Sequence, residues 1–488
     1  MKQQDKKNLW FYPLGTVGRD IMYALFTNFL LQFILLTKTL TDGQFLAVTA
    51  IMVGARVFDA LNDPVMGNII ERTRGKHGKF KPWLLIGIFT TSIVVYLTFN
   101  ADLQGNQFVV FFGFMYFFYS ITYTMHDISY WGMVPALSED GDMRNKITSR
   151  ATLFAGIGGL VASVCIPMFT VGEKAIGGGA KSGFGSVALA VCILAPLFLM
   201  FTVFGVKENR SDMDTPAPKI SFKKIVNTIG KNDQLLWISL IFLIQEVGNG
   251  VAIGGVGANY IYFEFGYKGG LYSLFSTIGM VATGVLMIIY PVVSRKLHRQ
   301  KLVRLLAIVA TAGYILMLAV GFLMPSSMVK FWIITIGYMF TNLGQYGLYL
   351  VMMISIINTV EYNELKQGTR DEAIITSMRP FLTKLASSLT VIITSATYLI
   401  SRVKTYTDKI SDLEQQAEKL GWAVEEKESA IENVISSVGK SQSTGLLIAM
   451  TVIPCILMLI SAVLYHRFYK LNEEEFDDIC KQLEAKKG

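Results

Sequence analysis

The sequence predicts an all-α polytopic membrane protein with twelve transmembrane helices in two six-helix halves. Three observations lead to this fold class. Only 16% of the 488 residues are charged and 52% are hydrophobic, whereas about a quarter of the residues of a soluble domain are charged. Apolar runs of ~20 residues, enough to cross a bilayer as a helix, recur along the whole chain. A polar, proline-containing stretch, VKENRSDMDTPAPKISFKK, separates six runs from six.

The apolar runs place the spans in chain order. Their approximate edges are 10–36, 45–70, 82–100, 108–134, 147–171, 185–206, 235–260, 272–294, 302–324, 331–358, 373–400 and 444–467. The four cysteines have no metal-ligand spacing and are predicted to be unpaired. The predicted domains are an N-terminal bundle (1–206), a cytoplasmic middle loop (207–234) and a C-terminal bundle (235–488). The last contains an external polar insert at about 402–440 and a cytoplasmic tail.

Basic residues concentrate in alternate loops. Segments 71–81 and 294–304 carry five Lys or Arg residues each, while the loop ADLQGNQ carries none. Because cytoplasmic loops are enriched in Lys and Arg, both termini are predicted to be cytoplasmic, in a cell membrane. The formal charge of +8 then reflects topology and contact with anionic lipids, and nucleic-acid binding is not expected.

The insert between the last two spans has ~40 polar residues, which is far longer than a usual connection. Its apolar residues follow a helical spacing that Lys427 interrupts. We expect a helix, or a hairpin broken near Gly421, lying on the membrane or on the protein. A partner-binding element or a lid is the alternative. The apolar positions are Ile410, Leu413, Ala417, Leu420, Val424, Ile431 and Val434.

The second span contains an acidic cluster in ARVFDALNDPVMG. A charged side chain at mid-bilayer is costly, so such residues usually face a bundle interior or a water-filled cavity. Asp59, Asn62 and Asp63 share one helical face. Their oxygens suit a hard cation, or the two carboxylates share a proton. Alternatively, the acids pair with Arg56 or with the basic loop.

Two further acids lie on other spans. Asp20 and Asp127 can each accept two hydrogen bonds from vicinal hydroxyls, and Trp131 lies one turn beyond Asp127, which are the components of a sugar site. Alternatively, Trp131 is an interfacial or core residue and Asp20 pairs with Arg19. His126 is interpreted as a packing residue. The remaining charges near or within spans are Arg150, Glu246, Arg379 and Lys384.

Five stretches in order carry a family resemblance: GRD, ARVFDALNDPVMG, RTRGKHGKFKPW, TYTMHDISYWGMVP and VEYNELKQGTRDEAIITSMRPFLTKLAS. The chain resembles the glycoside–pentoside–hexuronide:cation symporters of the major facilitator superfamily over nearly its whole length apart from 402–440. The resemblance implies the major facilitator fold, with two six-helix halves around a central cavity that work by alternating access.

The resemblance also implies roles for individual residues. It assigns a cation site, which for Na⁺ uses Asp59 and Asp63 as metal ligands, to Asp59, Asn62, Asp63 and Thr124. It assigns substrate contacts to Asp20, Asp127, Trp131, Arg150 and Arg19, which replaces a lysine. It assigns coupling of the two halves to Lys384. Where a familiar member of the family has a Gln-Thr pair, this chain has Arg379 and Pro380, so Arg379 is a further substrate-binding candidate that suits an acidic sugar.

The sequence therefore predicts a secondary active symporter that couples uptake of a glycoside, pentoside or hexuronide to Na⁺, Li⁺ or H⁺. Its expected partners are the sugar, a monovalent cation and the lipid bilayer, with no cofactor and no enzymatic activity. Two alternatives remain: a cation-coupled carrier of a lipid-like amphiphile, and a non-transporting membrane sensor on the same fold. The sequence leaves the oligomeric state open.

Overall fold

The computed structural model describes residues 3–75, 78–138, 140–208, 222–253 and 256–487. Eighteen α-helices account for most of these residues, and no β-strand occurs among them. The helices are α1 (Gln3–Asn28), α2 (Leu30–Thr37), α3 (Asp42–Arg72), α4 (Lys81–Asn100), α5 (Gly105–Gly132), α6 (Gly141–Thr170), α7 (Ala180–Gly205), α8 (Phe222–Lys231), α9 (Asp233–Ile253), α10 (Val256–Phe265), α11 (Gly269–Lys296), α12 (Arg299–Leu323), α13 (Met328–Gln367), α14 (Glu372–Ile400), α15 (Val403–Leu420), α16 (Val424–Ser436), α17 (Lys440–Phe468) and α18 (Glu473–Lys487).

The spans are long apolar helices, as predicted. Within the described residues, eleven helices are long and apolar enough to cross a membrane. The count reaches twelve when the bent pair α1–α2 is taken as one span. The first span is therefore not the single helix that its continuous apolar run suggests, because it bends by 49° at Phe29. The seventh span comprises α9 and α10, and residues 254–255 between them lie outside the described residues.

Contacts between residues divide the chain into two compact units. The first unit comprises residues 1–217, 261–274 and 398–438, and the second comprises 218–260, 275–397 and 439–488. The insert thus packs with the N-terminal helices, although the chain reaches it from α14. The predicted domain boundaries at 206 and 235 remain predictions.

Within the first unit, α1 packs against α6 and α7, and α5 packs against α3 and α4. Two glycines permit the close approach of α1. A Cβ at Gly158 would lie 2.5 Å from the backbone oxygen of Val17, and one at Gly18 would lie 2.7 Å from the Cα of Ala195. Small residues allow such backbone contact between membrane helices. The Arg19–Asp20 pair is therefore held inside the unit.

Within the second unit, α12 packs along α13 and α17, and α9 packs along α17 and α13. Its apolar core includes Leu235, Val303, Leu348 and Met352, each at most 2% exposed. The tail forms helix α18, which packs on α13. Pro380 does not end α14, which continues from Glu372 to Ile400.

The insert is a helical hairpin, which confirms the predicted break near Gly421. Helix α15 ends at Leu420, Gly421 adopts a left-handed conformation (φ 66°), and α16 begins at Val424. Two positions differ from the predicted apolar face. Leu420 is 69% exposed because it lies at the turn. Lys427, interpreted as an interruption, is only 2% exposed because it has a buried acidic partner on α15, Glu414.

Candidate functional site

A buried arginine joins the two acids predicted to accept sugar hydroxyls. Arg19 is 2% exposed. Its Nη1 donates to Asp127 Oδ1 at 2.8 Å and its Nη2 to Asp20 Oδ2 at 3.0 Å. Asp20 and Asp127 keep side-chain exposures of 23% and 36%, so both remain open to a ligand. The sequence paired Arg19 with Asp20 alone, whereas the structure places its charge between two carboxylates.

The same guanidinium lies over two aromatic rings. Its central carbon is 4.8 Å from the ring centroid of Tyr130 and 5.1 Å from that of Trp131. Aromatic faces attract cations at such distances. Trp131 therefore belongs to the charged cluster of Arg19, Asp20 and Asp127, and the structure brings together all four of these predicted substrate residues.

A pair of tyrosines fixes the helices that carry this cluster. Tyr12 on α1 donates its hydroxyl to the backbone oxygen of Tyr130 at 2.6 Å, and Tyr130 on α5 donates to the backbone oxygen of Tyr12. Their rings stack 4.3 Å apart. Both are fully buried, so this reciprocal bond sets the register between α1 and α5. That register decides which acid on α5 Arg19 can reach.

The predicted cation-site residues lie on α3 and α5. Thr124 Oγ1 donates to Asp63 Oδ1 at 3.3 Å, which joins the two helices. Asp59, one turn before Asp63, is 7% exposed. The Nδ2 atom of Asn62 is buried and has no hydrogen-bond partner in the described part of the chain. The set thus combines two carboxylates, an amide and a hydroxyl.

The two predicted sites are neighbours because they share α5. Thr124 and Asp127 are three residues apart, and residues at this spacing lie on the same helical face. A ligand on Asp127 therefore lies about one turn from the hydroxyl that contacts Asp63. This adjacency places the predicted cation-site and substrate residues next to each other on one helix.

Arg56 is a residue whose importance the sequence interpretation underestimated. It is 6% exposed, and its Nη1 lies 4.0 Å from Asp59 Oδ2. Its guanidinium carbon lies 6.0 Å from the ring centroid of Tyr116, and the hydroxyls of Tyr116 and Tyr119 are buried. The sequence did indicate a special role for Arg56, because an arginine inside an apolar span costs free energy. The sequence left Arg56 and the basic loop as alternative partners for the acids of this span, and the structure brings Arg56 near Asp59.

Arg150 lies on α6, where its guanidinium carbon is 4.4 Å from the ring centroid of Trp10. One of its terminal nitrogens, Nη1, is buried and has no hydrogen-bond partner in the described residues. Arg150 therefore contacts α1 through the ring of Trp10. Its predicted sugar contact stays a prediction.

Arg379 and Lys384 lie in the second unit. Arg379 is exposed, and its guanidinium carbon is 6.0 Å from the ring centroid of Tyr349. Glu246 on α9 is its electrostatic neighbour, and the Oε1 atom of Glu246 is buried without a hydrogen-bond partner in the described chain. The sequence flagged Glu246 only as a charge within a span. Lys384 is half-buried on α14, and its coupling role stays a prediction.

His126 is fully buried, and a Cβ at Gly87 on α4 would lie 2.7 Å from its backbone nitrogen. Its ring meets the ring of Tyr123 edge-on at 4.6 Å. These contacts support its interpretation as a packing residue. No cluster of three or more His, Cys, Asp or Glu side chains able to hold a metal occurs among the described residues.

Comparison with known proteins gives one consistent result. The family model described as MFS/sugar transport protein matches residues 11–473. A lactose permease from Lactobacillus delbrueckii subsp. bulgaricus is 28% identical, over 98% of this chain and 72% of the permease. A raffinose carrier protein from Pediococcus pentosaceus is 26% identical, over 97% of this chain and 70% of the carrier.

A solved structure agrees at the level of the fold. A D-xylose-proton symporter superposes with a TM-score of 0.62 at 12% identity, covering 96% of this chain and 98% of the symporter. This confirms the predicted major facilitator fold. The match of the family model across nearly the whole chain confirms the resemblance that the five motifs indicate. The chain therefore belongs to the MFS/sugar transport protein family, and it is a membrane transporter rather than an enzyme.

Proposed function

We propose that this transporter carries an uncharged glycoside in symport with a monovalent cation, Na⁺, Li⁺ or H⁺. The observation that supports it best is the cluster of Arg19, Asp20 and Asp127 beside Trp131, one turn along α5 from the Thr124–Asp63 contact. The relatives named for lactose and raffinose support a sugar substrate.

The chemistry of the cluster favours sugar recognition. Two partly exposed carboxylates accept hydrogen bonds from vicinal hydroxyls, and the bridging guanidinium donates to ring or hydroxyl oxygens. The indole ring of Trp131 offers an apolar face to the C–H bonds of a sugar. A buried charge that loses its partner is costly, so a hydroxyl that displaces Arg19 from one acid must restore the lost bond.

The sugars named for the relatives favour an uncharged substrate over a hexuronide. Arg379 suggested an acidic substrate when its charge was considered alone. Lactose and raffinose, for which two relatives are named, are uncharged sugars. We therefore propose an uncharged glycoside rather than a hexuronide.

The coupling cation is assigned to Asp59, Asn62, Asp63 and Thr124. Oxygen ligands of this kind suit hard cations, and a bound cation relieves repulsion between the carboxylates. Arg56 reduces the negative charge at Asp59. Cation binding then favours sugar binding next to it, and alternating access releases both. The basic loops place the termini in the cytoplasm of a cell by the positive-inside rule.

The test is uptake of labelled glycosides and uronides into proteoliposomes, with Na⁺, Li⁺ and pH gradients imposed separately. Asp59→Asn should abolish accumulation driven by the cation and keep downhill exchange of sugar. Asp20→Asn and Asp127→Asn should weaken sugar binding most. Asp478→Asn, an exposed acid on α18 with 68% side-chain exposure, is the matched control. Full gradient-driven accumulation by Asp59→Asn would refute the cation site, and normal sugar affinity of both other variants would refute the sugar site.

A further inference from the structure

The hairpin α15–α16 has no role in the proposed transport chemistry, yet it is built into the first unit by buried polar contacts. Its apolar side buries Val403, Ile410 and Ile431, each at most 1% exposed. Helix α15 packs on α2 and also contacts α7. A solvated loop would need neither contact, so the hairpin occupies a specific position.

A buried ion pair lies at the base of the hairpin. Lys427 Nζ is 3.2 Å from Glu414 Oε2, and these side chains are 2% and 3% exposed. Glu414 also accepts hydrogen bonds from the backbone nitrogen of Ala180 at 3.1 Å and the hydroxyl of Tyr267 at 3.3 Å. Lys427 donates to the backbone oxygen of Gly178. The pair therefore joins the hairpin to the start of α7 and to the α10–α11 turn, all in the first unit.

A second buried lysine attaches the other side of the hairpin. Lys404 is 3% exposed and donates to the backbone oxygen of Leu40 and, at 2.5 Å, to Asp408 Oδ2. Nearby, Thr39 Oγ1 donates to Asp412 Oδ1 at 2.6 Å. The short connection between α2 and α3 is thus bonded to α15 at two positions about two turns apart.

A third attachment of the hairpin involves Lys181 at the start of α7. Lys181 Nζ is 3.0 Å from Asp102 Oδ1 and 3.2 Å from Glu418 Oε2. Glu418 belongs to α15, and Asp102 lies between α4 and α5. Three connections of the first unit therefore bond directly to the hairpin, namely α2–α3, α6–α7 and α10–α11, and Lys181 links the α4–α5 connection to it indirectly. These are ordinarily the segments of a membrane protein that are least constrained.

The hairpin is connected along the chain to helices of the second unit, but it packs with the first unit. The flanking residues Thr397 and Gly439 belong to the second unit, whereas residues 398–438 belong to the first. Arg402, at the entry to α15, is the one non-glycine residue with a left-handed φ (54°) within the described residues. Such a conformation is uncommon outside glycine. Residues 400–402 and 437–440 thus join helices of one unit to a hairpin that packs with the other.

We propose that the hairpin is a permanently docked clasp that fastens the α2–α3 and α6–α7 connections, and through Lys181 the α4–α5 connection, and that it moves with the N-terminal helices throughout transport. Residues 400–402 and 437–440 are the flexible joints. This inference rests on the proposed alternating-access function. It excludes a lid that leaves the first unit in each cycle, because undocking would break the Glu414, Lys427 and Lys404 contacts together.

Protection of a buried hairpin position tests the clasp without relying on transport. Ile431→Cys is introduced after replacement of Cys165, Cys192, Cys455 and Cys480 by serine, and labelling by a membrane-impermeant maleimide is timed with and without sugar and coupling cation. We expect slow labelling that is the same in all conditions. Labelling that accelerates when both ligands are present would overturn the clasp. Lys427→Met should accelerate labelling in every condition, whereas Lys419→Met, an exposed lysine on the same hairpin, should not.

A cross-link gives the complementary result. In the same cysteine-free background, Thr39→Cys with Asp412→Cys places two thiols where the side chains now share a hydrogen bond. After oxidation, or reaction with a short bifunctional thiol reagent, we expect sugar uptake equal to that of the reduced pair. Uptake lost on cross-linking and restored by reductant would show that the hairpin must undock. Failure of both reagents to join the pair would contradict the docked position. Absence of uptake in the unmodified protein would refute the proposed function instead, and the labelling result would still stand.

Discussion

Replacing Arg19 by methionine should destabilise the first unit more than any other single change near the candidate sugar site. The arginine is 2% exposed and forms ion pairs with Asp20 and Asp127. Removing one partner of a buried ion pair costs about 3–5 kcal/mol. The two acids keep exposures of 23% and 36%, so water screens part of this cost, and we expect about 2–3 kcal/mol.

This cost should be visible as a lower thermal midpoint of the detergent-purified protein without sugar. A loss of about 2–3 kcal/mol corresponds to about 4–12 °C for a unit of this size. Arg19→Lys keeps the charge but cannot reach both carboxylates as a planar fork does, so its decrease should be smaller. Because Asp127→Asn removes the acid that Arg19 leaves uncompensated, the double variant Arg19→Met/Asp127→Asn should be more stable than Arg19→Met.

The double-variant cycle also defines the result that would refute this reasoning. Residues in direct ionic contact should show a coupling free energy of about 0.5–3 kcal/mol. If Arg19→Met has the same thermal midpoint as the wild type, or if the effects of Arg19→Met and Asp127→Asn are additive, Arg19 does not hold the acids in place. The orientation of Asp127 would then need another cause.

Three further predictions concern other parts of the first unit. Thr124→Ala removes the hydroxyl that donates to the Asp63 carboxylate. Because a hydrogen bond to a charged group contributes about 1.5–3 kcal/mol, the cation concentration for half-maximal uptake should rise about tenfold or more, with sugar affinity at saturating cation unchanged. Burial lowers the pKa of Lys38 to about 8, whereas a lysine in the unfolded chain stays protonated up to about pH 10.4. The thermal midpoint of the wild type should therefore rise relative to that of Lys38→Met between these two pH values. Parallel plots of thermal midpoint against pH for the two proteins would contradict this. Glu208→Gln loses an acceptor for the backbone nitrogens of residues 79 and 81 and should lower the thermal midpoint, with Asp478→Asn as the exposed control.

Span positions could be predicted from the sequence because apolar length alone determines which segments can enter a bilayer. The bend at Phe29 could not, because TNFLLQFILL contains neither proline nor glycine. Helix breaks without these residues depend on packing against neighbouring helices, which a one-dimensional pattern does not contain. The 49° angle between α1 and α2 therefore required the three-dimensional arrangement.

The candidate site was partly predictable for a related reason. Asp59, Asn62 and Asp63 are close in sequence, so helical geometry places them on one face. Arg19 and Asp127 are 108 residues apart, and only the register between α1 and α5 joins them. The sequence therefore indicated the residue types of the proposed sugar cluster and gave the pairing of Arg19 with Asp20 as an alternative, but it did not predict the bridge to Asp127.

Lys427 shows how a periodic pattern can be misread. The apolar spacing of the insert made this lysine an interruption, which suggests a solvent-facing position. Its partner Glu414 lies on the preceding helix, and the turn at Gly421 brings the two together at 3.2 Å. A charge in an apolar stripe can therefore indicate a buried pair when a helical hairpin supplies the opposite charge.

The exposed turn of the hairpin also offers a place to attach an optical reporter. Leu420 and Ala423, on either side of the left-handed Gly421, are both exposed. A rigid bifunctional dye attached across this turn would report the orientation of the helices to which the hairpin is bonded, instead of the random motion of a loop. Polarised single-molecule fluorescence in supported bilayers could then record the tilt of the first unit, turnover by turnover, without a probe in either candidate binding site.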